Sequence, residues 1–217
     1  SDYRYDLNYL KQFWLGWQAR LRPGDWVALF LDNHDNPRML SKVGYGAERE
    51  PAARTAIAKL LATLQLTMRG TPFLFQGQEL AAVNQAFADL SDLRDVESLN
   101  RYRELLNAGT APQTAWKEIM AGARDHARVP LRWGNEDGFG GKPWLPGKDE
   151  APGFTAAEQR ADPESVWHWY RRLIALRREH PALTRGDLRP VEPGRRNYLA
   201  YLRELDGEAW LIEANLS

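Results

Sequence analysis

Apolar residues recur at helical spacing from Asp6 to Leu21, with Leu7, Leu10, Trp14, Trp17 and Leu21 on one side. Arg22-Pro23-Gly24-Asp25 interrupts that period. Trp26 to Leu31 is instead an unbroken apolar run, short enough for a strand covered on both faces. A turn-rich polar segment follows, Asp32-Asn33-His34-Asp35-Asn36-Pro37-Arg38. The helical period returns from Pro51 to Arg69 through Ile57, Leu60, Leu61, Leu64 and Met68, with Pro51 in the first turn and Gly70 as the stop. Thr71-Pro72-Phe73-Leu74-Phe75 reads as a second buried strand, its proline at the start, where a missing donor is tolerated. Strand, loop, helix and strand in that order form a βαβ unit, which makes the two strands parallel.

Further along, Asp95 to Asn107 and Pro112 to Ala121 are predicted helices, and Arg124 to Ala161 is a long loop rich in glycine, proline and aromatics. Asp162 and Pro163 are expected to cap and open another helix, with Val166, Trp169, Tyr170, Leu173, Ile174 and Leu176 inward and His180-Pro181 at its end. From Leu188 the pattern changes to strands. Tyr198 to Leu205 and Glu208 to Asn215 flank Asp206-Gly207, a strong hairpin signal. A domain boundary is expected near Ala182 to Asp187, dividing the chain into residues 1–182 and 183–217.

Composition narrows the class. The 217 residues carry 29 Lys+Arg against 29 Asp+Glu, a formal net charge of zero, which argues against a nucleic-acid partner. The absence of cysteine removes a disulfide framework and thiolate metal sites, fitting a cytoplasmic location. No apolar run approaches the roughly 18 residues of a membrane span. Neither a metal nor a cofactor is expected: His168 and His180 lie within or at the end of a helix, and no second imidazole stands at ligand spacing. Gly138 to Gly141 lacks the Lys-Ser/Thr of a phosphate loop and reads as a rim loop. Tyr3, Trp14 and Trp17 read as packing residues.

In parallel α/β folds, ligands sit at the C-terminal ends of strands. The loop after the first strand offers Asn33, His34, Asp35 and Arg38, and the loop after the second offers Gln76, Gln78 and Glu79. A carboxylate accepts hydrogen bonds from sugar hydroxyls while imidazole and guanidinium donate them, so the set suits a polyhydroxylated ligand. The same residues also suit an Asx-turn followed by a surface ion pair.

Phe30-Leu31-Asp32-Asn33-His34-Asp35-Asn36-Pro37-Arg38 resembles the F-x-x-N-H-D-x-P-R segment that ends barrel strand 7 in glycoside hydrolase family 13, the α-amylase superfamily. Gly70-Thr71-Pro72-Phe73-Leu74-Phe75-Gln76-Gly77-Gln78-Glu79-Leu80 resembles its strand 8 segment, G-T-P-x-x-Y-Q-G-x-E-x. Arg124 to Trp133 resembles R-D-N-A-R-T-P-M-Q-W, typical of the oligo-1,6-glucosidase, α-glucosidase and sucrose isomerase branch, and Lys142-Pro143-Trp144-Leu145 and Asp162 to Val166 continue the match. Gln78 stands where relatives often have Glu, and His126, Val129, Leu131 and Arg132 replace the usual N, T, M and Q.

The resemblance implies the C-terminal portion of a (β/α)8 TIM barrel, strands 7 and 8 with their helices, followed by the start of a β-sandwich domain. It implies a retaining mechanism on short α-glucosides or sucrose-like substrates, acting from the non-reducing end. Asp35 matches the transition-state-stabilising carboxylate. His34 and Asn33 match substrate-binding positions. Arg128 matches the arginine that closes the pocket, pairing in the family with an Asp of the first barrel half. The family's nucleophile and general acid lie on strands 4 and 5, before Ser1, so the chain alone is expected to be inactive without that N-terminal half. Two strands cannot close a barrel and would leave faces and edges open. Two alternatives share the scaffold: a sucrose isomerase or transglucosylase, and a non-catalytic relative of the transporter heavy-chain kind, against which the intact Asn33-His34-Asp35 and Arg128 count.

Overall fold

The computed structural model describes residues 5–22, 24–134, 143–146 and 151–217. Tyr3, Pro23, Lys142 and the Gly138 to Gly141 loop lie outside the described residues. Helix α1 (Leu7–Arg20) starts on Asp6, whose side chain accepts from the Asn8 amide. Strand β1 (Ala28–Phe30) leads through the polar loop into α2 (Met39–Gly44) and then α3 (Pro51–Thr67), with Pro51 in its first turn as expected. Strand β2 (Thr71–Phe73) runs parallel to β1, pairing Phe30 with Phe73. The βαβ unit is therefore present.

Both strands are shorter than the apolar runs suggest, and they are not covered on both faces. Phe30 is 54% exposed and Phe73 is 57% exposed, side by side on the same face, while Leu29 and Pro72 turn toward the helices. The physical reason is width: this sheet has two strands, and nothing described lies across the face that carries the phenylalanines. An apolar groove of about 530 Å³ opens beside it, with Tyr9, Phe13 and Trp17 of α1 and Phe30 among its walls. Trp17, expected on the packed stripe, is 47% exposed.

Gln65, on α3, ties the unit together. Its side-chain amide donates to the carbonyls of Leu29 and Phe73, at 2.9 and 2.8 Å, bridging both strands from the helix side. Gly70, anticipated as a helix stop, has a different role, since Met68 already closes α3. Gly70 adopts φ +143°, and a Cβ there would lie 2.5 Å from the Val27 carbonyl oxygen. Glycine lets the chain entering β2 press against the chain entering β1, so that the Thr71 amide reaches Val27 at 2.8 Å.

Helices α4 (Val96–Asn107) and α5 (Pro112–Gly122) pack on one another around Leu93, Leu105, Ala115, Ile119 and Val129. The long loop of the sequence reading includes regular elements among its described residues. It contains a 3-10 turn at Arg124–Ala127 and helix α6 (Ala156–Ala161), which a Thr155/Glu158 capping box nucleates. Because α6 runs to Ala161, Asp162 closes that helix instead of opening the next. Helix α7 (Val166–Glu179) is capped by Ser165. Val166, Tyr170 and Leu173 are buried as expected, but Ile174 is exposed and Arg177 takes an inward position.

Helix α8 (Pro181–Arg185) leads into an antiparallel sheet of β3 (Asp187–Val191), β4 (Tyr198–Leu205) and β5 (Glu208–Asn215). Asp206 and Gly207 both have positive φ, 50° and 88°, the backbone that a two-residue hairpin requires. Ile212 and Ala214 alternate inward along β5 and join Leu199 and Tyr201 against Leu15, Leu64, Met68 and Leu183. Two buried guanidiniums fasten this contact. Arg177 donates to the carbonyls of Leu66, Met68, Gly70 and Leu183. Arg203 donates to those of Thr67, Leu183 and Gly186. The carbonyls that α3 leaves unpaired at its C-terminus, the negative end of its dipole, are thereby met by cations. Burial, and after it the nearby Arg177 charge, pushes Arg203 down to about 10, so it remains charged at neutral pH. Among the described residues, no helix is long and apolar enough to cross a membrane.

A Gly70→Ala variant should lose about 2 kcal/mol of stability, the scale of a strained backbone position combined with overpacking. Chemical denaturation of the purified chain measures it, and an unchanged midpoint would show that the close approach at Val27 relaxes freely.

Candidate active site

The loop after β1 is shaped by its own polar side chains. Asn33 Oδ1 accepts from the Asp35 amide and the Asn36 side chain, both at 2.9 Å, an Asx-turn that projects His34 and Asp35 outward. Asn33 thus braces the turn, with its carbonyl oxygen engaged internally. His34 Nε2 lies 3.1 Å from Asp35 Oδ2, and the Asp35 side chain is 52% exposed.

Arg128 comes from the segment after α5 and reaches the same point. Its Nε donates to the His34 carbonyl at 2.8 Å and its Nη2 to Asp35 Oδ1 at 3.1 Å. Arg124 stands a little farther, with Nη1 3.8 Å from Asp35 Oδ1, and is itself held by Asp95 and Glu97. An open cleft of about 960 Å³ begins at Asp35 and continues between α4 and α5, past Glu97, Arg101, Glu104 and Arg124. The structure therefore gathers His34, Asp35 and Arg128 at one exposed point. In this chain Arg128 pairs with Asp35, whereas the family resemblance leads one to expect an aspartate of the first barrel half.

Two residues assigned to the ligand rim by sequence turn inward. Arg38 is 1% exposed. Its Nη1 donates to Asp32 Oδ2 at 3.3 Å and to the Gln76 carbonyl at 2.9 Å, and its Nη2 reaches the Ala127 carbonyl at 3.5 Å. Asp32 Oδ1 accepts from the Met39 amide at 2.7 Å. Burial raises the Asp32 pKa, against the opposing pull of Arg38. Gly77, at φ +86°, keeps this space clear, since a Cβ there would stand 3.2 Å from Arg38 Nη2. Gln78 is also buried, donating to Gln65 at 2.5 Å and to the Tyr170 hydroxyl at 2.6 Å. Neither can touch a ligand at the Asp35 face. Both lie in polar turn segments, where residue type does not reveal which side chains fold back.

His126 was noted in the sequence only as a departure, and it proves to be buried. Its Nδ1 accepts from the Gln85 amide at 3.0 Å, and its Nε2 lies 2.7 Å from the Met120 carbonyl, which fixes the neutral Nε2–H tautomer. Burial is the main cause that lowers its pKa to about 4. Asp95 and Asp125 complete the support. Asp125 Oδ2 accepts from the amides of Arg94 and Asp95, and Asp95 accepts from Arg124 and Ser98. Among the described residues, no group of three or more His, Asp or Glu is placed to hold a metal.

Comparison with known proteins identifies what the chain is similar to. Residues 2–186 match the alpha amylase catalytic-domain model. The trehalose-6-phosphate hydrolase of Escherichia coli K12 is 37% identical over 96% of the chain, and the oligo-1,6-glucosidase of Parageobacillus thermoglucosidasius is 34% identical over 96%. The crystal structure of the trehalulose synthase from Pseudomonas mesoacidophila MX-45 superposes with a TM-score of 0.90 at 37% identity, covering 98% of this chain and 38% of that one. The chain spans 38% and 37% of the length of the two curated relatives.

The neutral His126 predicts an acid sensitivity. Between its ordinary value of 6.5 and about 4, the unfolded chain binds the proton and the folded chain does not. Stability from this residue is full above pH 6.5 and falls as pH drops toward 4, by up to about 3 kcal/mol. His126→Gln should flatten that part of a stability-against-pH curve, and an unaltered slope would place the sensitivity elsewhere.

Proposed function

The chain belongs to the alpha-amylase family, and from that premise we propose that it is the C-terminal part of a retaining α-glucosidase in which Asp35 stabilises the transition state. The observation that carries this reading is the Asp35 carboxylate, projected by a bonded turn at the end of a parallel strand and met there by His34 and Arg128. In the proposed reaction, an upstream carboxylate attacks the anomeric carbon as the glycosidic C–O bond breaks. An upstream acid protonates the departing oxygen and then deprotonates the water that releases the glucosyl unit. Asp35 accepts hydrogen bonds from ring hydroxyls, and its charge balances the oxocarbenium ion as that develops. His34 and Arg128 donate to the same sugar, and Arg128 holds Asp35 in place.

On this reading β1 and β2 are strands 7 and 8 of a (β/α)8 barrel, and residues 183–217 begin the following β-domain. The open face carrying Phe30 and Phe73 supports the first assignment. The family match ending at residue 186, just before β3, supports the second. The substrates proposed are short α-glucosides. A second reading, sucrose isomerisation, draws support from the likeness to the trehalulose synthase, and the two differ in whether water or the released fructose attacks the glucosyl intermediate.

The purified 217-residue chain should not turn over p-nitrophenyl α-glucoside, and robust hydrolysis would overturn the assignment of nucleophile and acid to upstream segments. In the full-length protein, Asp35→Asn should lower kcat on the order of 10³-fold. A near-normal rate would remove Asp35 from the chemistry. Products from sucrose separate the two readings: glucose and fructose for hydrolysis, an isomeric disaccharide for the other.

A further inference from the structure

The apolar groove of about 530 Å³ beside β1 is lined by two polar side chains that the described residues leave under-bonded. Lys42 is 5% exposed, yet its ammonium makes one long hydrogen bond, 3.4 Å to Asn36 Oδ1, and otherwise faces the Tyr5 ring at 5.2 Å. An ammonium carries three donors and calls for more acceptors than that. Burial lowers the Lys42 pKa against the pull of Asp32. Toward the other end of α1, Gln18 Nε2 donates to the Arg69 carbonyl at 2.8 Å. Gln18 Oε1 is buried and has no hydrogen-bond partner among the described residues.

Both side chains line the groove together with Val27 to Leu31, so it follows the whole of β1. On that side β1 is a bare edge, because among the described residues its sheet has two strands and β2 takes the opposite edge. Phe13 and Trp14 of α1 form the roof. A bare edge beside an apolar trough is the surface to which an extended segment adds as a further strand. The described chain enters α1 at the Lys42 end, where the Tyr5 amide donates to the Lys42 carbonyl at 2.9 Å. A strand that leads into α1, and through it into β1, therefore runs parallel to β1 beneath the helix and finishes beside Lys42.

We infer that this groove receives the strand that precedes α1 in the full-length protein, and that a carboxylate at the C-terminal end of that strand forms a buried ion pair with Lys42. This rests on the reading of the chain as the C-terminal part of a barrel, and adds to it the chemistry of the partner: an apolar strand with an amide for Gln18 Oε1 and an acid for Lys42. An acid fits better than a main-chain carbonyl, because a buried ammonium is held by a countercharge. Asp32 is already committed to Arg38 and the Met39 amide.

Coupling measured by thermal unfolding of the full-length protein tests it. Lys42→Met should lower the unfolding midpoint by about 5 °C, and so should one acid-to-amide substitution in the strand upstream of Ser1. Combined, the two should cost no more than the larger single loss, since each alone strands the other's partner. If no upstream acid is coupled to Lys42, or if Asp32→Asn is the coupled substitution, the inference is overturned. Should Lys42→Met not fold, a crystal structure of the full-length wild type decides. The inference expects an upstream carboxylate oxygen within about 4 Å of Lys42 Nζ. A carbonyl there, a second copy of the chain in the groove, or an open groove overturns it. None of these readouts involves turnover, so wild-type protein inert toward every α-glucoside would sink the functional reading while the coupling still judges the strand.

Discussion

A guanidinium removed from water must find acceptors, and Arg38 finds them on three separate stretches of chain. Asp32 lies in its own loop, Gln76 in the loop after β2, and Ala127 in the segment that carries Arg128. Burying such a charge costs several kcal/mol, and breaking a buried pair typically costs about 3–5 kcal/mol because it strands the partner. The arginine therefore acts as a constraint: the three stretches must sit together or leave polar groups unpaired. Asp35 is three residues from one contact, and Arg128 follows immediately after another. Their encounter at 3.1 Å on the surface is set by the fastening beneath it.

The same device recurs at the C-terminal end of α3, where Arg177 and Arg203 gather main-chain carbonyls alone. There the result is mechanical: the three-stranded sheet is locked onto the helix end through Leu183 and Gly186, with Tyr201 and Thr67 sharing a hydrogen bond at 2.6 Å. Near the N-terminus of α3, Arg54 donates to the Ala81 carbonyl, and Gln65 hangs the two parallel strands from the helix.

Much of this was legible in the sequence, for reasons that can be traced. Asp206-Gly207 specifies its hairpin because only certain residues accept positive φ, and the apolar period of α3 survives because its buried face is long. The family resemblance of the segments carrying them anticipates that Asp35 and Arg128 share a neighbourhood. The inward turn of Arg38 and Gln78 was not legible, because a polar residue in a turn gives no signal of the side to which it folds. Strand burial was misjudged for a related reason: an apolar run does not reveal how many faces of a sheet are covered, and Phe30 and Phe73 remain exposed. Ser165 displaced Asp162 as a cap because a capping box at Thr155 claims the preceding turn first, a competition between neighbours that single-residue preferences do not rank.

Amide hydrogen exchange on an Arg38→Met variant, measured where the chain remains folded, tests the account at its centre. The amides of Met39, Gln78 and Arg128 report on the three stretches, bonded as they are to Asp32, Phe75 and Asp125. The account predicts that all three lose protection together, while amides in the middle of α3 keep theirs. Faster exchange at Met39 alone, with Gln78 and Arg128 as protected as in the wild type, would contradict it.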